Sequence, residues 1–148
     1  MDNFESLNLS TPLRNAIDDL NFEKPTPIQS EAFPVVLSGK DLVGIAQTGT
    51  GKTFAYMLPS LRDLKFSKQT TPRILVVVPT RELVLQVVEQ TKLLAKYMNV
   101  RVLGVYGGVN IKTHMAEALE GCDILVATPG RLYDLVLSKA LSLKSINK

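Results

Sequence analysis

Tryptophan is absent from this sequence, and Cys122 and His114 are the only residues of their kinds. A lone cysteine excludes an internal disulfide and any cysteine-based metal cluster. Cys122 precedes an apolar run and is expected to be a small buried hydrophobe. His114 belongs to no recognisable metal-ligand set and is expected to be an exposed helix residue. No apolar run approaches the ~18 residues of a membrane span. The opening Met1-Asp2-Asn3-Phe4-Glu5 is acidic and has no apolar signal core. These gaps point to a soluble protein of a reducing compartment, and a cytoplasmic setting is expected. Charge of either sign is modest, with 17 basic and 14 acidic residues and a net +3. That balance permits a polyanionic partner without arguing for one. What remains is 148 residues with 45% apolar composition, enough for a globular core.

Residues 41–53 organise the chain. They read Asp-Leu-Val-Gly-Ile-Ala-Gln-Thr-Gly-Thr-Gly-Lys-Thr, an apolar strand expected at 42–46 followed by a Gly-rich turn that opens a helix. Gly49 and Gly51 allow backbone angles that gather N–H groups on one concave surface, which suits an anion. The helix start near Lys52 aims its unpaired N–H groups and positive dipole end at the same point. Lys52 is expected to reach the β- and γ-phosphates of a nucleotide, and the Thr53 hydroxyl to ligate Mg²⁺. The general phosphate-loop pattern has Gly where this chain has Ala46. The alternative is an ordinary Gly-rich turn between a strand and a helix.

The rest of the chain alternates helices and strands. Ser10-Thr11-Pro12 starts a helix running to about Leu20. Residues 22–25 form an extended break, because the residue before proline avoids the helical region. Thr26-Pro27-Ile28-Gln29 starts a second helix that Gly39 ends. There Gln29 either completes a capping box with Thr26 or offers its amide to an adenine edge. Residues 53–64 are expected to be helical, and 65–73 a surface loop. Residues 74–78 read as a strand buried on both faces. Thr80 caps a helix to about Tyr97, with Val84, Val87, Val88, Thr91, Leu94 and Ala95 facing inward. A strand at 100–106, a helix at 111–119, a buried strand at 123–127 and a helix at 131–138 follow. This is the parallel α/β pattern, in which ligands sit beyond the carboxyl ends of the strands. The turns at 79–81, 107–108 and 128–131 fall at that edge.

With these residues placed, the chain resembles the first RecA-like domain of the DEAD-box RNA helicases, a P-loop NTPase fold. Phe22 to Gln29 resembles the family's Q motif, with Phe4 as its upstream aromatic, and residues 46–53 match a family phosphate loop that itself begins with Ala. Pro79-Thr80-Arg81-Glu82-Leu83 resembles motif Ia, Gly107-Gly108 the Gly pair, and Thr128-Pro129-Gly130-Arg131 motif Ib. The resemblance implies that Phe4, Phe22, Lys24 and Gln29 serve the base end of ATP. It implies that Ala46, Gln47, Thr48, Gly49, Thr50, Gly51, Lys52 and Thr53 serve the phosphates and Mg²⁺. Lys52 and Thr53 would carry the catalytic part. Thr80, Arg81, Gly107, Gly108, Thr128 and Arg131 would touch the backbone of single-stranded RNA without reading bases. For Thr80 and Thr128 the alternative is N-capping; for Arg81 and Arg131 it is a solvated or salt-bridged arginine. Asn21 stands where the family more often has Gly.

The family's hydrolysis requires an Asp-Glu-Ala-Asp motif, and no Asp-Glu dipeptide occurs here. The resemblance thus implies a helical Q-motif region at 1–40 and a partial RecA-like ATP-binding domain at 41–148, ending before the acidic Walker B strand. The Ser-Ala-Thr motif and the second RecA-like domain, with its arginine fingers, are missing. The parent is expected to be an ATP-dependent RNA helicase. The segment alone is expected to bind nucleotide without hydrolysing it and to be only marginally stable. A GTPase would carry an Asn-Lys-x-Asp guanine reader and a small-molecule kinase an Arg-rich lid, and neither is present. A non-catalytic nucleotide-dependent RNA- or protein-binding module is the remaining alternative.

Overall fold

The computed structural model describes residues 3–47, 49 and 51–148. Backbone contacts divide the chain into two compact units. One holds the residues up to Lys65 together with Gln90–Asn99; the other holds Phe66–Glu89 and Val100–Lys148.

The first unit is helical. A 3-10 turn at Phe4–Leu7 is closed by the Asn3 side chain, which accepts from the Ser6 N–H at 2.9 Å. Helix α1, Thr11–Asp19, follows an extended Ser10 and has Pro12 in its first turn. It buries Leu13, Ala16 and Ile17, the apolar stripe of its 3.6-residue period. The chain leaves α1 through Asn21 at φ 59. This left-handed residue explains the expected Gly, since Asn is among the few other residues that tolerate such angles. Helix α2, Pro27–Leu37, packs against α3, Lys52–Arg62. The inner face of α3 carries Phe54, Met57, Leu58 and Leu61.

One expected element did not form. Residues 41–47 carry no strand, and Val43 and Ile45 are 88% and 91% exposed. A strand needs a lateral neighbour to pair its N–H and C=O groups, and none of the described strands pairs with this segment. Apolar composition alone cannot supply that partner.

The second unit is a parallel sheet in the order β1-β3-β2, built from β1, Ile74–Val77, β2, Val102–Val105, and β3, Ile124–Ala127. Ile124 is level with Ile74 on one side and Val102 on the other, and Ala127 with Val77 and Val105. Central β3 is fully buried, which its unbroken Ile-Leu-Val-Ala run anticipates. β1 differs from expectation: only Ile74 is buried, and Val77 is 49% exposed. It pairs along its length with β3 alone. On its other edge residues 147 and 148 bond to the backbone of Arg73 and Leu75.

Helix α4, Arg81–Leu94, begins in this unit. It sets Val84 and Val88 so close to β2 that a Cβ at Gly104 would lie 2.9 Å from each. Helices α5, Ile111–Glu120, and α6, Pro129–Leu137, cover Leu103, Val105, Leu125 and Ala127 with Ala118 and Leu135. Cys122 is buried in the same core, and that burial pushes its thiol up to about 12.

At the amino ends of the strands, Asp123 is 2% exposed. It accepts from Arg73 Nη2 at 3.0 Å, Arg101 Nη2 at 3.2 Å and the Arg101 N–H at 2.8 Å. Burial works to raise its pKa, but the Arg101 and Arg73 bonds outweigh it and hold the carboxyl below its usual value. Asp123→Ala leaves the largely buried Arg73 guanidinium without its carboxylate, while Arg101, 40% exposed, is partly compensated by water. Urea denaturation should show a loss of about 3–5 kcal/mol, and a loss under ~1 kcal/mol would refute the role given to this carboxylate.

Candidate nucleotide and RNA-backbone sites

In the helical unit, Gly51 is the N-cap of α3 at φ 81, ψ 34, and Gly49 has the same φ of 81. Thr48 and Thr50, expected at this loop, lie outside the described residues. A Cβ on Gly49 would meet nothing within 4 Å, whereas one on Gly51 would lie 2.2 Å from Gln29 Nε2. Gly49 thus borders open space for a ligand, and Gly51 is pinned from behind. Lys52, the first residue of α3, is exposed, and Thr53 beside it is half-buried. No side chain caps α3 among the described residues, so its first N–H groups stay directed at the loop. Ala46 is half-buried and Gln47 exposed.

Gln29 links the start of α2 to the glycine that opens α3. Its side chain is buried, with the residue 5% exposed. Oε1 accepts from the Thr26 N–H at 3.0 Å, and Nε2 donates to the Gly51 carbonyl at 3.2 Å. Thr26 and Gln29 face each other as a capping box. The Thr26 hydroxyl does not complete a bond of its own and is buried with no partner among the described residues. The amide still keeps one N–H and one lone pair, so the capping role and a base-reading role are compatible. Phe22 is 46% exposed and meets Phe54 edge-on at 5.6 Å between centroids. Phe4 is 7% exposed, and its turn lies against α2. Lys24 is exposed.

A phosphate fits this donor set of left-handed glycines, helix N–H groups and Lys52. Mg²⁺ fits only as a shared ligand. Thr53 offers one hydroxyl, which shares a hydrogen bond with the Tyr56 hydroxyl. No group of three His, Cys, Asp or Glu that could hold a metal occurs among the described residues.

In the sheet unit, three turns leave the carboxyl ends of the strands. After β1, Thr80 Oγ1 accepts from the Leu83 N–H at 3.2 Å, so Thr80 does cap α4. After β2, Gly107 and Gly108 are exposed, and a Cβ on either would meet nothing within 4 Å. After β3, Thr128 precedes α6 without a side-chain capping bond. Arg81 lies over the Tyr106 ring, 4.9 Å from its centroid. Arg131 is half-buried and is no solvated arginine: Nη1 lies 2.7 Å from His114 Nδ1, and Nη2 donates to the Val109 carbonyl at 2.9 Å.

The family model for the DEAD/DEAH box helicase matches residues 26–147. The chain belongs to the DEAD/DEAH box helicase family. Among its relatives, the pre-mRNA-processing ATP-dependent RNA helicase prp-5 of Neurospora crassa is 46% identical over 132 residues, covering 86% of this chain and 11% of that protein. DEAD-box ATP-dependent RNA helicase 24 of Oryza sativa subsp. japonica is 44% identical over 144 residues, covering 95% of this chain and 19% of that protein. The probable ATP-dependent RNA helicase DDX46 of Homo sapiens is 40% identical over 136 residues, covering 89% and 13%. This chain therefore spans only between 11% and 19% of the length of these helicases.

Within this DEAD-box chain, His114 departs from expectation. It is 3% exposed, buried on the side of α5 that meets Tyr106 and Arg131. Burial and the Arg131 charge lower its pKa, with Glu117 opposing. The sequence held a signal for this. Ile111, Met115 and Ala118 form the inward stripe of α5, and position 114 falls within it by helical period.

The pinned glycine yields a direct test. Gly51→Ala puts a Cβ against Gln29 Nε2 at a left-handed φ. The variant should lose about 1–3 kcal/mol in urea denaturation, together with nucleotide binding by calorimetry. Unchanged stability and binding would show that the Gln29–Gly51 contact is dispensable.

Proposed function

We propose that this chain forms the ATP-binding site and part of the RNA-binding face of an ATP-dependent RNA helicase. The whole protein would couple RNA-stimulated ATP hydrolysis to local unwinding or remodelling of RNA duplexes. The observation that carries this reading is the buried Gln29 amide bonded to the Gly51 carbonyl, which would join a base end and a phosphate end in one site. Phe22, 46% exposed and packed on Phe54 of α3, offers a ring for packing against a base. The remaining N–H and lone pair of Gln29 match the donor and acceptor of an adenine edge. Phe4 backs this end, and Lys24 flanks it.

Residues 46–53 would hold the phosphates, with Lys52 as the point charge and the backbone N–H groups of Gly49, Gly51 and the first turn of α3 as the cradle. Thr53 would exchange its bond to Tyr56 for Mg²⁺. Bound Mg-ATP supplies the phosphoryl group whose transfer to water drives the whole helicase. The absence of an Asp-Glu pair from this sequence supports binding without hydrolysis by these residues alone, with a water-positioning carboxylate coming from the parent's acidic motif and arginine fingers from its second RecA-like domain. Thr80, Arg81, Gly107, Gly108, Thr128 and Arg131 would grip RNA phosphates and sugars. Bare glycine N–H groups, an uncapped Thr128 hydroxyl and two arginines suit backbone contact without base reading. No described helix is long and apolar enough to cross a membrane. A cytoplasmic setting remains a proposal resting on the single, buried cysteine.

A thermal melt with and without excess Mg-ATP, repeated with Mg-GTP and with Gln29→Ala, tests the reading. Ligand at ~100 times its dissociation constant should add about 2.7 kcal/mol if it binds only the folded form. The shift should be ATP-specific and lost in the variant. Equal shifts with both nucleotides would sink the adenine assignment, and no shift with either would sink nucleotide binding by this chain.

A further inference from the structure

His114 is the chain's only histidine, and no sequence motif claims it. Its Nδ1 faces Arg131 Nη1 at 2.7 Å. A guanidinium can only donate, so Nδ1 is the acceptor and the imidazole is neutral, with its proton on Nε2. The Val109 carbonyl takes a second N–H from Nη2, while Nε is buried with no partner among the described residues. Two anchors thus fix the guanidinium plane and leave one further N–H on each terminal nitrogen. Tyr106 meets the imidazole edge-on at 5.1 Å and carries Arg81 on its ring. The charged groups around the imidazole are Arg131 from α6, Glu117 from α5 itself, and Arg81 beyond Tyr106.

We propose that His114 is a positioning residue for RNA binding: as neutral imidazole it holds Arg131 oriented to grip a backbone phosphate, and its protonation releases that grip. The proposal rests on the reading that Arg131 contacts RNA. An imidazolium has no acceptor at Nδ1 and sets a second positive charge at hydrogen-bond distance from Arg131. The guanidinium then loses its anchor, and RNA binding must order it again. Burial and Arg131 hold the folded pKa below the ordinary 6.5. The neutral form therefore predominates at pH 6.5 and above, and it is lost as the pH falls through this depressed pKa.

The test measures binding of a labelled single-stranded RNA oligonucleotide to the 148-residue chain by fluorescence anisotropy, from about pH 7.5 down through the pKa of the imidazole, which an NMR titration of the single histidine locates. The unaltered chain should lose about 2- to 10-fold in affinity across this range, the worth of one pre-ordered side chain. His114→Gln keeps a carbonyl acceptor that does not titrate, so it should retain the neutral-pH affinity with a flatter profile. Affinity that rises on acidification, or one profile shared by both proteins, overturns the proposal. A second measurement needs no variant at all. As the chain has one histidine, its imidazole NMR signals report this site directly, and saturating RNA should move the titration further down because RNA binds the neutral form more tightly. A titration that stays or moves up overturns the idea. Arg131→Ala separates the two readings. If RNA affinity at neutral pH is unchanged in that variant, the RNA assignment of Arg131 fails and this proposal with it. If Arg131→Ala weakens binding while His114→Gln follows the unaltered profile, the positioning role alone fails.

Discussion

Parallel strands have to pair along their edges and bury both faces at once, and the sheet unit is organised by that demand. β3 meets it fully, with a neighbour on each side and helices over its side chains. Its position at the centre fixes the register of β1 and β2. Register in turn decides where the three following turns emerge, so Thr80, Gly107 and Thr128 leave from carboxyl ends that are level with one another. At the opposite ends Asp123 gathers Arg73 and Arg101 from the two outer strands. One carboxylate thereby ties the outer strands to the central one where no ligand is expected.

The helical unit solves a different problem. A helix that opens on glycines has unpaired N–H groups and little to hold its first turn in place. Gln29 supplies the restraint from α2 by bonding to the Gly51 carbonyl, and the steric room for that bond exists because Gly51 has no Cβ. The same amide also bonds the Thr26 N–H at the start of its own helix. Helix capping and loop positioning are therefore carried by one side chain. Thr80 is similar: it caps α4 and still faces the carboxyl edge of the sheet.

Much of this was legible in the sequence because it is governed by local rules. Proline and hydroxyl residues mark the starts of α1, α2 and α6, and apolar period marks the inner faces of α1, α3 and α4. The unbroken run at 124–127 marks a buried strand. Asn21, where the resembled family more often has Gly, adopts a left-handed angle that Asn tolerates. Other features depended on distant partners. Residues 42–46 have a strand's composition, yet no described strand lies beside them. Val77 belongs to a run that suggests burial on both faces, yet it lies on a strand paired along its length on one side only.

By itself, then, the sequence determined the alternation of helices and parallel strands, the glycine-rich Gly-Lys-Thr opening of α3, and membership of the DEAD/DEAH box family. These follow from residue type, spacing and backbone preference within a few positions. Tertiary structure alone decided that Gln29 reaches Gly51, that Asp123 bridges two arginines, and that His114 is buried against Arg131. Each of these joins residues 17 to 50 positions apart. Such contacts depend on how helices and strands pack, and a histidine on a helix carries no mark of which distant side chain will fill its acceptor.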